Sequence, residues 1–217
     1  MKITKKIFYF TLCGLVFLIF SVKTYWWLYD KVEIKKEIET NYTLNDSEID
    51  LLQNGDIILR YGFGMISDMV VDEFDEEFPV SHCGIVYRDS DSIGIVHSES
   101  SSYFKKEGVQ YQELQSFVNA SHPNSVIVVR YKNITTFQQN SLQNRTLSYL
   151  KANIPFDYSF DMNTKNELYC SELIKVIFEE EFGVDIYTFD NPVPNYERFY
   201  NYLDTNHFEV IINHHLR

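Results

Sequence analysis

The sequence predicts a single α+β domain, and two patterns carry that prediction. Short runs of β-branched and apolar residues alternate with turn-rich pieces in the first half of the chain, as is typical of strands. Helical periodicities bracket these runs without alternating with them one for one, which indicates an α+β arrangement and not repeated βαβ units. The 217 residues, 45% of them hydrophobic, suffice for one well-cored domain.

The elements of this domain are predicted in chain order. Strands are expected at 56–60, 83–87, 94–98 and 126–131, each bounded by turn residues. Helices are expected at 64–71, 136–151 and 170–182. The last helix is the most periodic, because Leu173, Ile174 and Ile177 follow Cys170 at the spacing of one helix face.

An apolar segment precedes the domain. Residues 7–22 carry no charge, and an aromatic cluster follows Lys23 at 25–29. A bilayer core needs about 20 helical residues, and a lysine can snorkel beside an aromatic belt. Residues 1–29 are therefore predicted to be an uncleaved single-pass anchor, with membrane contact through 7–29. The basic N-terminus favours a C-terminal domain outside the cytoplasm. The alternative is a cleaved signal peptide that leaves a secreted or periplasmic protein.

The charge is unevenly distributed along the chain. Residues 1–29 contain four lysines and no acid, so the remainder carries 15 basic and 31 acidic residues. Residues 30–45 mix Lys and Glu with few apolar positions and are predicted to form a polar tether, which leaves 46–217 for the domain. A body this acidic repels phosphate backbones, which argues against nucleic acid as a partner.

Two segments contain the residue types of nucleophilic catalysis. His82 lies at the entry of a predicted buried strand, and Cys170 is the first residue of the periodic helix. A thiol at a helix N-terminus lies among unpaired N–H groups at the positive end of the dipole, which favours the thiolate. An imidazole nearby would take the thiol proton. Each residue alone is more often a packing residue. The remaining histidines are expected at the surface: His122, His207, His214 and His215.

The wider pattern resembles a known family. Its ordered segments are NGDII at 54–58, SHCGIV at 81–86, VHSE at 96–99, FDYSFD at 156–161 and LYCSELI at 168–174. Together they resemble the circularly permuted papain-like cysteine hydrolases of the NlpC superfamily, the bacterial amidase branch related to lecithin retinol acyltransferase. The resemblance covers about residues 50–185. It implies a small antiparallel sheet that carries the histidine, packed on a helix that carries the nucleophile.

The resemblance also implies roles for individual residues. By motif position Cys170 is the nucleophile, and His82 is the general base that later protonates the leaving group. The third polar residue of the family lies on the next strand, where His97 and Glu99 fall on one face. We prefer His97 to orient His82, with Glu99 as the alternative. Backbone N–H groups near Cys170 would hold the oxyanion, and Cys83 is interpreted as packing.

The leading hypothesis is a membrane-anchored cysteine hydrolase. It would cleave an amide or ester bond of a cell-wall peptide or lipid-like substrate through an acyl-enzyme on Cys170, and no metal or organic cofactor is implied. One alternative is an acyltransferase on the same site, and the other is a catalytically silent, membrane-tethered module that binds lipids or peptides. The aromatic-rich stretch 61–78 would either line a substrate groove or belong to the core.

Overall fold

The computed structural model contains a long N-terminal helix and one antiparallel sheet with helices on both of its faces. It describes residues 2–90, 92–100, 106–162, 165–189 and 198–215. The described helices are α1 (Lys2–Glu39), α2 (Asp46–Leu51), α3 (Met65–Phe74), α4 (Leu114–Asn119), α5 (Thr136–Ala152) and α6 (Cys170–Phe182), with a 3₁₀ helix at Phe199–Leu203. The strands are β1 (Ile57–Arg60), β2 (His82–Arg88), β3 (Ile93–Glu99), β4 (Gly108–Glu113), β5 (Ile127–Tyr131) and β6 (Phe208–Asn213).

Within the described residues, the six strands form one sheet in the order β4-β3-β2-β1-β5-β6, with every neighbouring pair antiparallel. Alternating side chains build a core on each face. On one face Cys83 and Ile85 of β2 pack with Leu173 and Ile177 of α6. The other face has its own core: Ile58, Val86, Ile95, Leu114, Phe117 and Val118.

The structure confirms the α+β class and the antiparallel sheet packed on the helix that begins with Cys170. The helix α6 has the predicted bounds, and Gly183 ends it in the left-handed conformation (φ 66°) that glycine adopts without strain. The strands β4 and β6 were not predicted. Both lie at the edges of the sheet, where β4 pairs with β3 and β6 pairs with β5.

The first helix divides into an exposed part and a part packed on the domain. The stretch from Phe8 to Val22 is exposed, and α1 is long and apolar enough to cross a membrane. The range 30–45 was predicted to be a polar tether, and in it α1 continues to Glu39 with Glu33 buried. Ordered structure therefore connects the apolar segment to the domain without a break in the helix.

Candidate active site

Two histidines meet at one end of the sheet. His82 is the first residue of β2, and His97 lies near the end of the adjacent strand β3. The His82 Nε2 and His97 Nδ1 atoms are 2.8 Å apart, and the two rings are nearly perpendicular, at 84°. His97 is fully buried, whereas His82 is partly exposed. A buried partner on a neighbouring strand holds the exposed imidazole in a fixed orientation.

A glycine lets the two strands approach closely at the histidine pair. An added Cβ at Gly84 would lie 2.4 Å from Ile95 Cγ2 and 3.0 Å from His97 Cβ. Both distances are shorter than the ordinary contact of about 3.5–4.0 Å between carbon atoms. The absence of a side chain at Gly84 is therefore a packing requirement of the position that His97 occupies.

A buried arginine lies beside the pair. Arg60 is opposite His82 in the β1–β2 register, and its guanidinium lies over the ring of Phe117 at 4.2 Å. Arg60 Nη1 donates to the carbonyl oxygens of Phe117 and Ala120 at 3.0 and 2.8 Å. Arg60 Nη2 lies 3.5 Å from a carboxylate oxygen of Glu99. Burial lowers the pKa of Arg60, and the carboxylate of Glu99 opposes that shift.

These contacts separate the two candidates for the third site residue. His97 contacts His82 directly, whereas Glu99 forms an ion pair with Arg60. Both residues lie on the face that β3 presents to α4, and Phe117 of α4 packs against both histidine rings. Arg60 was not predicted as a site residue, although a charged residue at the end of the apolar run DIILR was a signal for it.

The start of α6 is fixed at the same end of the sheet. Ser98 Oγ of β3 donates to the carbonyl oxygen of Leu168, and Leu168 N donates to Pro155 O at 2.9 Å. The Glu172 carboxylate accepts from the N–H of Tyr169 at 3.4 Å across the first turn. Because Leu168 precedes Cys170 by two residues, this anchoring sets where the nucleophile candidate lies.

Cys170 lies at the same end of the sheet, as the first residue of α6. It packs at the edge of the core shared by α6 and the sheet, and it is partly exposed. It is also within electrostatic range of Arg60 on one face and of Tyr202 on the other. Cys83 is fully buried in the core, in agreement with its interpretation as packing. Cys13, Cys83 and Cys170 form no disulfide with one another.

The surface interpretation of the remaining histidines is wrong for His214. That side chain is buried, it bonds to the hydroxyl of Tyr42, and its Nε2 lies 2.9 Å from a carboxylate oxygen of Glu48. Burial is favourable here because both ring nitrogens have polar partners. His122 is half-buried and stacks on Tyr61, with ring centroids 4.3 Å apart.

The aromatic-rich stretch 61–78 divides between core and surface. Phe74 packs against the core that contains α6, and Phe78 belongs to that core. Ile66 and Met69 of α3 are more than half exposed. The core alternative therefore holds for Phe74 and Phe78, at the end of the stretch, and not for the exposed Ile66 and Met69.

Known proteins place this arrangement in a family. The model of the permuted papain-like amidase enzymes YaeF/YiiX, the C92 family, matches residues 51–191. The crystal structure of the metalloprotein yiiX from Escherichia coli O157:H7 aligns with a TM-score of 0.52 at 21% identity, covering 62% of this chain and 68% of that one. At that identity the likeness shows the fold alone. No curated protein matches the chain at a significant level.

Over the described ranges, His, Cys, Asp and Glu form no group of three or more that could hold a metal ion. The cysteine at the start of α6, the histidine pair and the antiparallel sheet follow the order of a permuted papain-like fold. Because the family model also spans well over half of the sequence, the chain belongs to the permuted papain-like amidase family C92.

Proposed function

We propose that the chain is a membrane-anchored cysteine hydrolase that cleaves an amide or ester bond through an acyl-enzyme on Cys170. The observation that carries the proposal is the 2.8 Å contact between His82 Nε2 and His97 Nδ1, at the end of the sheet where α6 begins. Membership in an amidase family supports hydrolysis. The exposed apolar part of α1 supports anchoring.

In this proposal His97 orients the base. A neutral His82 that carries its proton on Nε2 donates a hydrogen bond to Nδ1 of His97. The Nδ1 lone pair of His82 can then accept the thiol proton of Cys170. The thiolate then attacks the carbonyl carbon of the substrate, and the carbonyl oxygen becomes negative. Backbone N–H groups in the first turn of α6 stabilise that oxyanion.

The second half of the reaction returns the enzyme to its starting state. His82 gives the proton to the leaving amine or alcohol, the bond to the carbonyl carbon breaks, and a thioester remains on Cys170. A water molecule gives a proton to His82 and attacks the thioester, which releases the acid and regenerates the thiol. The fixed positive charge of Arg60 near Cys170 favours the thiolate during both half-reactions.

Alkylation of Cys170 in the full chain tests the proposal. Iodoacetamide labelling, read at Cys170 by peptide mass spectrometry, is expected to persist at about pH 6, well below the ordinary thiol pKa of about 8.5. His82→Ala should abolish that enhancement. His207→Ala, which replaces a histidine paired with Asp204 outside the site, should retain it. Equally slow labelling of all three proteins would overturn the assignment of Cys170 and His82.

Two further variants decide the third residue. His97→Ala is expected to reduce the labelling enhancement at low pH, because it removes the partner of His82 Nε2. Glu99→Gln is expected to keep the enhancement, since Glu99 pairs with Arg60. The opposite result would assign the orienting role to Glu99.

The fate of the acyl group separates hydrolysis from its alternatives. An activated ester should acylate Cys170, and mass spectrometry should show loss of the acyl group in water alone. Persistence of the acyl group until an amine or lipid acceptor is added would make the protein an acyltransferase. Failure of Cys170 to acylate at all would leave a silent binding module.

A further inference from the structure

The last turns of α1 pack on the domain beside the candidate site. Tyr29, Glu33 and Glu37 recur at helical spacing and face the domain, and Glu33 is buried. The carboxylate of Asp68 on α3 accepts hydrogen bonds from both Tyr29 and Tyr61. Because Tyr61 directly follows β1, this shared acceptor connects the anchor helix to the end of the sheet that carries the site.

Helix geometry fixes how far the site lies from a bilayer that holds the apolar segment. A hydrocarbon core of about 30 Å needs about 20 helical residues at a rise of about 1.5 Å each. A span that begins at Phe8, the first residue of the candidate span, therefore ends at Trp27, within the aromatic cluster that suits an interface. Tyr29 then lies about 3 Å beyond Trp27, and Glu37 about 15 Å beyond it.

The site lies between the level of Tyr29, here the lower level, and the level of Glu37, here the upper level. Arg60 precedes Tyr61, which is joined through Asp68 to Tyr29 at the lower level. At the upper level, the carboxylate of Glu37 opposes the lowering of the pKa of Arg60 by burial, as that of Glu99 does. For an α1 that crosses along the membrane normal from Phe8, the end of the sheet with the candidate site would therefore lie about 3–15 Å above the hydrocarbon edge, where lipid headgroups, about 5–8 Å deep per leaflet, meet water.

At the lower level, α3 offers a second apolar surface, in addition to α1, for contact with the bilayer. On α3, Ile66 and Met69 flank Asp68 and are 57% and 56% exposed. We infer that α1 and α3 form a juxtamembrane surface that seats the catalytic end of the sheet on a zwitterionic bilayer, and that the substrate is a membrane-resident amphiphile whose amide or ester bond lies among the headgroups. The substrate part of this inference rests on the proposed function.

The charge of α3 favours a zwitterionic bilayer, and the location of the site favours a substrate that stays in the membrane. Asp72 and Glu73 are exposed on the next turn of α3, so anionic lipid would be repelled and zwitterionic lipid is favoured. An amphiphile that stays in its leaflet presents its headgroup at the level of the site. A cell-wall peptide in bulk water lacks this advantage, and the short distance between the site and the membrane would not help it to bind.

Tryptophan quenching tests the surface without any measurement of activity. The chain has two tryptophans, Trp26 and Trp27, and both are replaced by Phe. Met69→Trp is added in one protein and Phe137→Trp in the other, at an α5 residue that is 81% exposed. In phosphatidylcholine vesicles with brominated acyl chains, emission of the Met69→Trp protein should fall by at least about half, as for a side chain inserted about 5–10 Å into the interface.

The control decides how that result is interpreted. The Phe137→Trp protein should keep its emission in brominated lipid, and phosphatidylserine in part of the vesicle should weaken quenching of the Met69→Trp protein. No quenching at position 69, or equal quenching at both positions, would overturn the juxtamembrane surface. Neither outcome depends on whether the protein is a hydrolase.

An insertion in α1 tests the substrate class. Four residues, Lys-Ala-Glu-Ala, placed between Leu28 and Tyr29 lift the domain by about 6 Å. Hydrolysis of fluorogenic amphiphiles embedded in vesicles, one an ester lipid and one a lipidated peptide amide, should fall at least about tenfold, as for misplaced reacting groups. A water-soluble ester with the same leaving group should react at an unchanged rate.

The two arms of the insertion experiment separate the possible failures. Unchanged hydrolysis of both embedded amphiphiles by the inserted chain would overturn the membrane-resident substrate. The arm that the normal chain accelerates more, relative to the uncatalysed hydrolysis of the same compound, identifies the lipid or the lipidated peptide as the source of the amphiphile. Loss of Cys170 labelling in the normal chain is a failure of the proposed function and leaves the quenching result standing.

Discussion

Replacing Gly84 by Ala should displace His97 and inactivate the site while the chain still folds. The added methyl would lie 2.4 Å from Ile95 Cγ2, 3.0 Å from His97 Cβ and 3.1 Å from Val96 O. Relief of these contacts requires β3 to retreat by about 0.5–1 Å at His97, to reach the ordinary contact of about 3.5–4.0 Å. Overpacking of this kind costs typically about 1–3 kcal/mol of folding free energy.

The effect on catalysis should exceed the effect on stability. The His82–His97 contact is 2.8 Å in the native arrangement, so a retreat of β3 lengthens it beyond a good hydrogen bond. A misplacement of about 1 Å in a catalytic group costs on the order of 100-fold in rate. Gly84→Ala is therefore expected to lower the rate of ester hydrolysis about 100-fold, with a loss of about 1–3 kcal/mol in urea unfolding.

A matched glycine provides the control for this substitution. Gly14 lies on α1 with no atom within 4 Å of an added Cβ apart from its chain neighbours and the backbone of its own helix, so Gly14→Ala should leave the hydrolysis rate unchanged and should not lower the unfolding free energy. A Gly84→Ala protein that unfolds like the parent would refute the packing argument. One that is destabilised yet hydrolyses at the parent rate would refute the orienting role of His97.

Three more substitutions probe the surroundings of the site. Arg60→Met removes the ion pair with the carboxylate of Glu99 and should lower the free energy of unfolding in urea by about 3–5 kcal/mol. Adding Glu99→Gln to this protein should restore part of that loss. Burial raises the pKa of Glu76 from 4.5 to about 7, so its contribution to stability is full below pH 4.5 and is lost as the pH rises through about 7. Because Glu76 is partly exposed, Glu76→Gln should flatten the pH dependence of thermal unfolding by at most about 1 kcal/mol; an unchanged profile would contradict the shift. His214→Ala should cost about 1–3 kcal/mol by leaving the buried carboxylate of Glu48 without this partner, with Cys170 labelling unaffected, and slower labelling would show coupling to the site.

Local patterns in the sequence were sufficient to predict the elements that carry the site. The period of α6 is visible because Leu173, Ile174 and Ile177 face one core, and the run ends at a glycine. The relation between His97 and Glu99 follows from the period of two along a strand. What the sequence could not supply is the partner of each residue, because strand register depends on contacts between distant segments.

The two edge strands, β4 and β6, were not predicted for two different reasons. The strand β4 reads GVQYQE, and its two glutamines give a weak strand signal in spite of the pairing with β3. The strand β6 reads FEVIIN, a strong β-branched run, yet its neighbour β5 lies far back in the chain. The burial of Arg60 could not be predicted from local sequence either, because it depends on the pairing of β1 with β2 and on Phe117 of α4.

The pleat of β2 explains how a second cysteine can follow the proposed base directly without disturbing it. Successive side chains point to opposite faces of a sheet, so His82 lies on the side of Phe117 while Cys83 enters the core under α6. Full burial removes Cys83 from the solvent through which thiols exchange, whereas Cys170 remains partly exposed at the start of its helix. In the proposed location outside the cytoplasm, where thiols tend to oxidise, burial would protect Cys83, and partial exposure would leave Cys170, the proposed nucleophile, open to substrate. Access to solvent, and not the number of cysteines, decides which thiol of the domain can act as a nucleophile.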